Sequence, residues 1–216
     1  MSFSRSNPSP RYHHLIKQYQ TMHVEGEKSL GITPQNTFSG QSLIPQADSI
    51  RTLIIRYGAE SILDYGCGKG FQYGPMNIKN ADGRVLGSIK EYWGVKQISC
   101  YDPSYVPHSN LPSGKFDGVI STDVLEHCPE EDMDWILDEI FRYATKFVFA
   151  NVACFPAKKH LPSGENAHIT IYPALWWEEK IRSTAKRNPG PAWEFWIQQR
   201  KDTPEGPSYF EERISS

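Results

Sequence analysis

The hydrophobic pattern along the chain alternates between short apolar runs and longer amphipathic segments. Four short runs have the length and composition of β-strands: SILDY, ISCY, DGVIST and KFVFANVA. A later segment, AWEFWIQQR, alternates apolar and polar residues as a strand does. Almost continuously apolar strands that alternate with helices indicate a parallel sheet covered on both faces. The pattern therefore predicts an α/β fold with a doubly wound, mostly parallel sheet.

The amphipathic segments predict the helices. In EEDMDWILDEIFRYA, Trp135, Ile136, Ile140 and Tyr143 form an apolar face and the acids point outward. Apolar stripes of the same kind predict three further helices, in RYHHLIKQYQTMH, QADSIRTLIIRYG and PALWWEEKIRSTAKR. Helices therefore stand before, between and after the predicted strands.

The N-terminal part of the chain has a weaker pattern. Residues 1–10 carry Ser, Asn and Pro and are expected to be loose, and residues 25–45 have the composition of a loop. No internal repeat and no second domain is visible. We therefore divide the chain into an N-terminal cap or extension, residues 1–45, and one domain, residues 46–216.

Composition and charge narrow the class of protein. With 216 residues, 38% of them hydrophobic, the chain can build one domain with a proper core. The formal net charge is −2 and no block of Lys and Arg stands out, which argues against a large nucleic-acid footprint. The apolar runs are too short to cross a bilayer, and the first residues lack the apolar core of a secretory signal. We expect a cytoplasmic protein without a membrane segment.

Four cysteines, Cys67, Cys100, Cys128 and Cys154, are scattered and include no CxxC pair. Metal sites and disulfide frameworks normally show closer spacing. Each thiol falls near the end of a predicted strand. We predict reduced, half-buried thiols and no metal site.

A glycine-rich turn follows the first predicted strand. Gly66, Gly68 and Gly70 let a ligand approach the backbone closely at the carboxyl end of that strand, where open α/β sheets bind ligands. A dinucleotide fingerprint would need Gly or Ala where Phe71 stands, and no P-loop is present. The neighbouring Asp64 is unfavourable beside a pyrophosphate but favourable beside a cation. S-adenosylmethionine, which carries an ammonium and a sulfonium, fits this turn.

Four segments together resemble the class I S-adenosylmethionine-dependent methyltransferases. LDYGCGKG is similar to their first motif, and CYDPS to the end of their second strand. FDGVISTDVLEH and NAHITIYPALWWEEKI are similar to later motifs of a subfamily that includes many small-molecule and sugar methyltransferases. The resemblance covers roughly residues 46 to 185 and implies a Rossmann-like fold.

The resemblance implies roles for individual residues. Those implied to contact the cofactor are Asp64, Tyr65, Gly66, Cys67, Gly68, Gly70, Asp102, Pro103, Asp123, Val124 and Glu126. Asp102 matches the acid that binds the ribose hydroxyls, and its place after a strand favours this role over that of an ordinary turn acid before Pro103. Asp123 could equally cap the following helix. His168 is the first candidate for a general base because histidine titrates near neutrality. His127 and Tyr172 are further catalytic candidates, and Lys159 and His160 lie in the same region.

The chain also departs from the family pattern. Between Asp102 and Phe116 there is no room for the usual third strand, so that strand is predicted to be missing or reduced. The connection from Gln72 to Lys96 is longer than usual. We expect the first 45 residues to cap the cofactor or shape the acceptor pocket, with Tyr19 and His23 able to reach it.

These observations favour methyl transfer from S-adenosylmethionine to an oxygen or nitrogen atom of a small or medium polar acceptor. A nucleic-acid amine methyltransferase is a weaker alternative, because STDV stands where those enzymes carry [DNS]-P-P-[YFW]. A protein that binds S-adenosylmethionine without methyl transfer stays open, and Phe71 disfavours a nicotinamide oxidoreductase. The pattern does not indicate an oligomeric state.

Overall fold

Six strands form one sheet in the part of the chain that the computed structural model describes, residues 3–74, 83, 85 and 87–216. Their bounds are β1 Ser61–Tyr65, β2 Gln97–Tyr101, β3 Phe116–Thr122, β4 Ala144–Ala153, β5 Ala192–Thr203 and β6 Gly206–Ser215. The order across the sheet is β2-β1-β3-β4-β5-β6. Strands β1 to β5 are parallel and β6 is antiparallel to β5, so five carboxyl ends meet at one edge. The predicted mostly parallel sheet is confirmed.

Five α-helices accompany the described strands. They are α1 Pro10–Glu25, α2 Ala47–Tyr57, α3 Ile89–Trp93, α4 Met133–Tyr143 and α5 Ala174–Arg187. Short 3-10 turns lie at Pro34–Asn36, Gln41–Gln46, Phe71–Tyr73, Val106–His108, Leu125–His127 and Glu130–Asp132. The four helices predicted from periodicity are confirmed as α1, α2, α4 and α5. None of the described helices has the length and apolar character needed to cross a bilayer.

Local sequence explains where two of these helices begin and end. The Ser9 hydroxyl accepts a hydrogen bond of 2.9 Å from the Tyr12 N–H, and Pro10 occupies the first position of α1. Helix α2 ends at Gly58, whose φ of 58° is left-handed and favours glycine. These caps satisfy backbone groups that a helix end leaves without partners.

The sheet is covered on both faces, as the pattern predicts. On one face, α4 and α5 pack Ile140 and Trp177, both fully buried, against the strands. On the other face, α2 and α3 supply Ile50 and Trp93 to a second apolar cluster. Burial of apolar side chains on both faces is the main source of stability for such a sheet.

The usual third strand is absent, as predicted. The segment 102–115 is described throughout and contains only the 3-10 turn Val106–His108, so β2 is the edge of the sheet. The long connection before β2 is described only in part. Residues 75–82, 84 and 86 of it lie outside the described residues.

The expectation of a loose N-terminus is wrong for residues 3–10. Arg5 forms an ion pair with Glu139 of α4 and donates a hydrogen bond of 2.9 Å to the Tyr65 hydroxyl. Its guanidinium carbon lies 4.6 Å from the Trp135 ring centroid. A cation held by a carboxylate and aromatic rings fixes this segment, although its Ser, Asn and Pro content suggested a loop.

Candidate active site

A cavity of about 520 Å³ lies at the carboxyl ends of β1, β2 and β3, closed on the other side by α1 and the loop after it. This volume is within the range of small-molecule sites. Ten of the predicted site residues line it: Asp64, Tyr65, Gly66, Cys67, Gly68, Asp102, Pro103, Asp123, Val124 and His127. Tyr19, His23 and Lys159 line it as well. The structure therefore brings residues as far apart in the chain as Tyr19 and Lys159 to one cavity.

The glycine turn is packed tightly from two sides. A Cβ on Gly66 would overlap the Val124 side chain, and the φ of Gly66 is 89°. A Cβ on Gly68 would overlap the carbonyl oxygen of Phe38, which also accepts a hydrogen bond of 2.8 Å from the Lys69 N–H. Glycine is required at both positions because backbone and side chains approach so closely. The loop after α1 thus forms one wall of the turn.

Asp64 presents a carboxylate oxygen without a partner. Its Oδ2 accepts hydrogen bonds from the Tyr73 hydroxyl (2.8 Å) and from Gln72 Nε2 (3.1 Å). Its Oδ1 is buried and has no hydrogen-bond partner among the described residues. Burial raises the pKa of Asp64 to about 7. A buried acceptor of this kind at a cavity wall is suited to a cationic donor from a ligand.

Asp102 ties the end of β2 to the glycine turn. Its Oδ2 accepts a hydrogen bond of 3.0 Å from the Gly68 N–H. Its Oδ1 accepts from the Ser104 N–H (2.8 Å) and hydroxyl (2.6 Å). Burial raises the pKa of Asp102, which is only 8% exposed. The carboxylate is therefore fixed in direction, with lone pairs left for hydroxyl donors in the cavity.

Asp123, His127 and His168 form a cluster beside the cavity. One potential ligating atom from each lies within 4.8 Å of the others, and the two imidazoles meet edge to face with centroids 4.9 Å apart. Asp123 has a φ of 61°, and the other non-glycine residue with positive φ in the described chain, Phe38, also lines the cavity. Backbone conformations of this kind cluster at functional sites.

Burial keeps both histidines of this cluster neutral. It lowers the pKa of His127 to about 4 and lowers that of His168 as well. Nδ1 of His127 lies 2.8 Å from the carbonyl oxygen of Ala167, and Nδ1 of His168 lies 2.6 Å from that of Phe155. A carbonyl oxygen only accepts, so each Nδ1 carries the proton and each Nε2 keeps a lone pair.

Glu126 does not line the cavity but holds the two parts of the cluster together. Its Oε1 accepts a hydrogen bond of 2.8 Å from the Ala153 N–H at the end of β4. Its carbonyl oxygen accepts from the N–H groups of Ile169 (2.7 Å) and Thr170 (2.9 Å). Burial and the Asp123 carboxylate raise the pKa of Glu126. The residue joins the turn that carries His127 to the loop that carries His168.

Three other predicted residues lie apart from the cavity wall. Gly70 faces His108 and Cys100 on the far side of the turn. Tyr172 donates a hydrogen bond of 2.5 Å to Glu130 and stacks on a tryptophan of α5. His168, nearly buried, reaches the cavity only through His127 and Asp123. Tyr172 is therefore not part of the cluster that faces the cavity.

The four cysteines are all free, and Cys67 is buried while the other three are half-buried. Cys67 and Cys100 lie close to His108, with one atom from each within 4.8 Å of the others. The hydrogen bond with Cys100 raises the pKa of the Cys67 thiol, and burial adds to the shift. Cys67 is thus held as a neutral thiol in the glycine turn.

Several residues of the site escaped the sequence analysis. Gln72 and Tyr73, which hold Asp64, follow it by eight and nine positions in a segment without a pattern. Lys69 contacts His23 Nδ1 (2.9 Å) and the His23 carbonyl oxygen (3.1 Å), and so joins the glycine turn to the end of α1. Asn166 accepts hydrogen bonds from two backbone N–H groups and shapes the loop of His168. Only the three-dimensional contacts identify these roles.

Comparison with known proteins supports the fold. No family model matches the chain, and no curated protein matches its sequence. A solved structure of Burkholderia thailandensis 1,6-didemethyltoxoflavin-N1-methyltransferase, with bound 1,6-didemethyltoxoflavin and S-adenosylhomocysteine, matches with a TM-score of 0.53 and 14% identity. The match covers 97% of this chain and 92% of that chain. A structure of a DhpI–SAH complex matches with a TM-score of 0.29 and 15% identity over 94% of this chain and 81% of that chain.

Proposed function

We propose that the protein is an S-adenosylmethionine-dependent methyltransferase that acts on a small or medium polar acceptor. The observation that carries this proposal is Asp64, whose buried Oδ1 has no partner among the described residues and which lines the same cavity as Asp102 and the glycine turn. The fold match to a methyltransferase that binds S-adenosylhomocysteine agrees with it. No dinucleotide fingerprint competes for the same turn.

The residues of the cavity fit this cofactor. Asp64 would accept a hydrogen bond from its ammonium group through the free Oδ1, and Asp102 would accept from its ribose hydroxyls. Gly66 and Gly68 line the same cavity, so the cofactor would lie along the backbone of the turn that Val124 and Phe38 pack against. Once bound, S-adenosylmethionine would supply a methyl group on a positively charged sulfur. The protein then needs to orient the acceptor and accept its proton.

Activation of the acceptor is assigned to the cluster of Asp123, His127 and His168. His127, which lines the cavity, can take up a proton through its free Nε2, and the neutral His168 imidazole lies behind it, where the two rings can share a proton or hold a cation. The Tyr19 hydroxyl donates a hydrogen bond of 2.9 Å to the carbonyl oxygen of Ala167. His127 Nδ1 contacts the same oxygen, so this carbonyl group helps to hold the imidazole of His127 in its orientation. The acceptor therefore meets preorganised groups and exchanges one proton for the methyl group.

The N-terminal residues act as a cap in this proposal. Tyr12, Leu15 and Tyr19 from α1 and Phe38 from the following loop close the cavity opposite the strand ends. Apolar and aromatic side chains there exclude water from the reacting groups, which strengthens every polar interaction inside. A cavity closed in this way favours a small molecule over a macromolecule as acceptor.

A methyl-transfer assay tests the function. Protein is incubated with methyl-labelled S-adenosylmethionine and with a protein-free, low-molecular-mass cell extract, or separately with nucleic acid. We expect label in the low-mass fraction. His168→Asn is expected to slow the transfer roughly a hundredfold while S-adenosylhomocysteine still binds.

The alternatives have different outcomes in this assay. Label in nucleic acid alone would support the nucleic-acid methyltransferase. Binding of S-adenosylhomocysteine by the wild-type protein without transfer to any fraction would support a protein that only binds the cofactor. An unchanged rate in His168→Asn would remove that residue from acceptor activation.

A further inference from the structure

Three donor groups converge in the cluster of Asp123, His127 and His168. They come from different parts of the chain: Asp123 directly follows β3, His127 ends the next 3-10 turn, and His168 lies in the loop after β4. One donor atom of each lies within 4.8 Å of the others. Asp123 and His127 line the cavity, so the point between the donors is open to small ligands.

Both imidazoles are oriented as metal ligands are. A metal-binding histidine usually donates its second ring N–H to a carbonyl or carboxylate oxygen, which fixes the ring and the tautomer. Here the Nδ1–H of His127 points to Ala167 O at 2.8 Å, and that of His168 points to Phe155 O at 2.6 Å. No hydrogen bond uses either Nε2 among the contacts of the described residues. Neither lone pair therefore has a hydrogen-bond partner in the part of the chain that the structure describes.

We propose that Asp123, His127 and His168 bind a divalent transition-metal ion at the wall of the cavity. Imidazole and carboxylate together suit Zn²⁺, Mn²⁺, Co²⁺ and Fe²⁺, and three protein ligands leave open positions for a substrate oxygen. Metal–ligand bonds of about 2.0–2.2 Å place donors of one ion about 3–3.5 Å apart, so only small side-chain adjustments close the site.

The charges around the cluster act in both directions. The Lys159 ammonium lies close enough to affect both histidines and opposes a cation. The Asp123 carboxylate favours a cation, and Glu126 adds a buried carboxyl oxygen, Oε2, that has no partner among the described residues. The Asp123 carboxylate opposes the Lys159 charge, and the Glu126 carboxyl, whose raised pKa favours its neutral form, would add negative charge only when an ion draws off its proton.

The role of the ion rests on the proposed function, whereas its binding does not. An ion at this point would hold an acceptor hydroxyl oxygen and lower its pKa, so that the oxygen loses its proton readily before it accepts the methyl group. The histidines would then act as ligands and the proton would pass to water. This assignment favours a hydroxyl-bearing acceptor over an amine.

Cobalt titration tests the metal site directly. Untagged protein is stripped with a chelator and titrated with Co²⁺, whose visible absorption reports on nitrogen and oxygen ligands. We expect one ion per chain, with affinity at least about tenfold lower in Asp123→Asn and in His127→Ala. His13→Ala, which removes an exposed imidazole outside the cluster, is expected to bind Co²⁺ as the wild type does. Lys159→Met is expected to tighten binding, because it removes the opposing charge.

Two results would overturn the proposal: no saturable binding of Co²⁺, Zn²⁺ or Mn²⁺, or wild-type affinity in both Asp123→Asn and His127→Ala. Circular dichroism confirms that each variant is folded, and Asp123→Asn, at the cavity wall, serves if the histidine variant does not fold. S-adenosylhomocysteine binding is measured in chelator at the same time. Cofactor binding without metal binding defeats only the metal site, and metal binding without cofactor binding defeats only the proposed function.

Discussion

Asp64 and Asp102 stand at the ends of neighbouring strands but differ in what their oxygens contact. Both oxygens of Asp102 accept hydrogen bonds from the protein, so this carboxylate is held in place before any ligand arrives. Asp64 has two donors on Oδ2 and none, among the described residues, on Oδ1. In the proposed function a ligand would add the missing partner at Asp64, so we expect Asp64 to be the more sensitive of the two to ligand charge.

This difference predicts a pH dependence of cofactor binding. Burial raises the pKa of Asp64 to about 7, so the carboxyl is largely neutral below that pH and cannot pair with an ammonium group. We expect the affinity for S-adenosylhomocysteine to rise by up to about tenfold per pH unit below pH 7 and to level off above it. Calorimetry between pH 5.5 and 8.5 measures this. Asp64→Asn is the control and should bind weakly at every pH; a flat wild-type profile would contradict the role of Asp64.

At this scale the sequence identified residue types but not their partners. The glycines and Asp102 were predicted from their places after strands whose carboxyl ends meet, and Asp64 from its charge beside the glycine turn and from the family resemblance. The hydrogen bonds that Asp64 accepts from side chains, and those that Glu126 accepts from backbone N–H groups, depend on contacts that form only in the folded chain. Periodicity and motif spacing carry no information on such contacts.

At the scale of elements, helix α1 covers the carboxyl ends of the strands and so forms one side of the cavity. Its start is held by the Ser9 N–H, which donates to Asp132 (3.0 Å), and by the Arg5–Glu139 ion pair. Its end is held by Lys69, whose ammonium contacts the His23 carbonyl oxygen, a favourable site for a cation at a helix C-terminus. The helix is therefore anchored to α4 at one end and to the glycine turn at the other.

The Arg5–Glu139 ion pair predicts that substitution of Arg5 destabilises the protein more than substitution of Arg11 does. Arg5 is 28% exposed and Glu139 11%, whereas the pair of Arg11 and Glu165 is 31% and 45% exposed. We expect Arg5→Ala to lower the free energy of unfolding by about 2–3 kcal/mol. The substitution removes the charged partner of the Glu139 carboxylate, which has little contact with solvent. Arg11→Ala should cost less than about 1 kcal/mol. Urea unfolding measures both, and equal small losses would show that Arg5 does not anchor the segment.

Helices and strands could be predicted where apolar residues recur along the sequence with the period of a helix or a strand. Helices α1, α2, α4 and α5 have apolar stripes and were predicted with small differences in their ends. Helix α3, five residues long, is too short to show a period. Strand β6 is mostly exposed and polar, so it lacks the apolar signal of a strand and is defined by its pairing with β5.

At the scale of the molecule, the carboxyl ends of the strands and the N-terminal residues together form the walls of the site. Strand β2 is the last on its side, and the chain returns to β3 through a short segment without a strand. The cavity lies where β1, β2 and β3 end, between the sheet and α1. Strand order and closure by α1 are properties of the folded chain, and no local pattern in the sequence specifies them.

Calorimetric titration with S-adenosylhomocysteine, with NAD⁺ as the matched comparison, tests whether the cavity binds the proposed cofactor. We expect one site per chain with micromolar-range affinity for S-adenosylhomocysteine and no binding of NAD⁺. Asp102→Ala should weaken binding about tenfold to a hundredfold, as the loss of hydrogen bonds to a charged group does. Binding of NAD⁺ without binding of S-adenosylhomocysteine would contradict the proposed function.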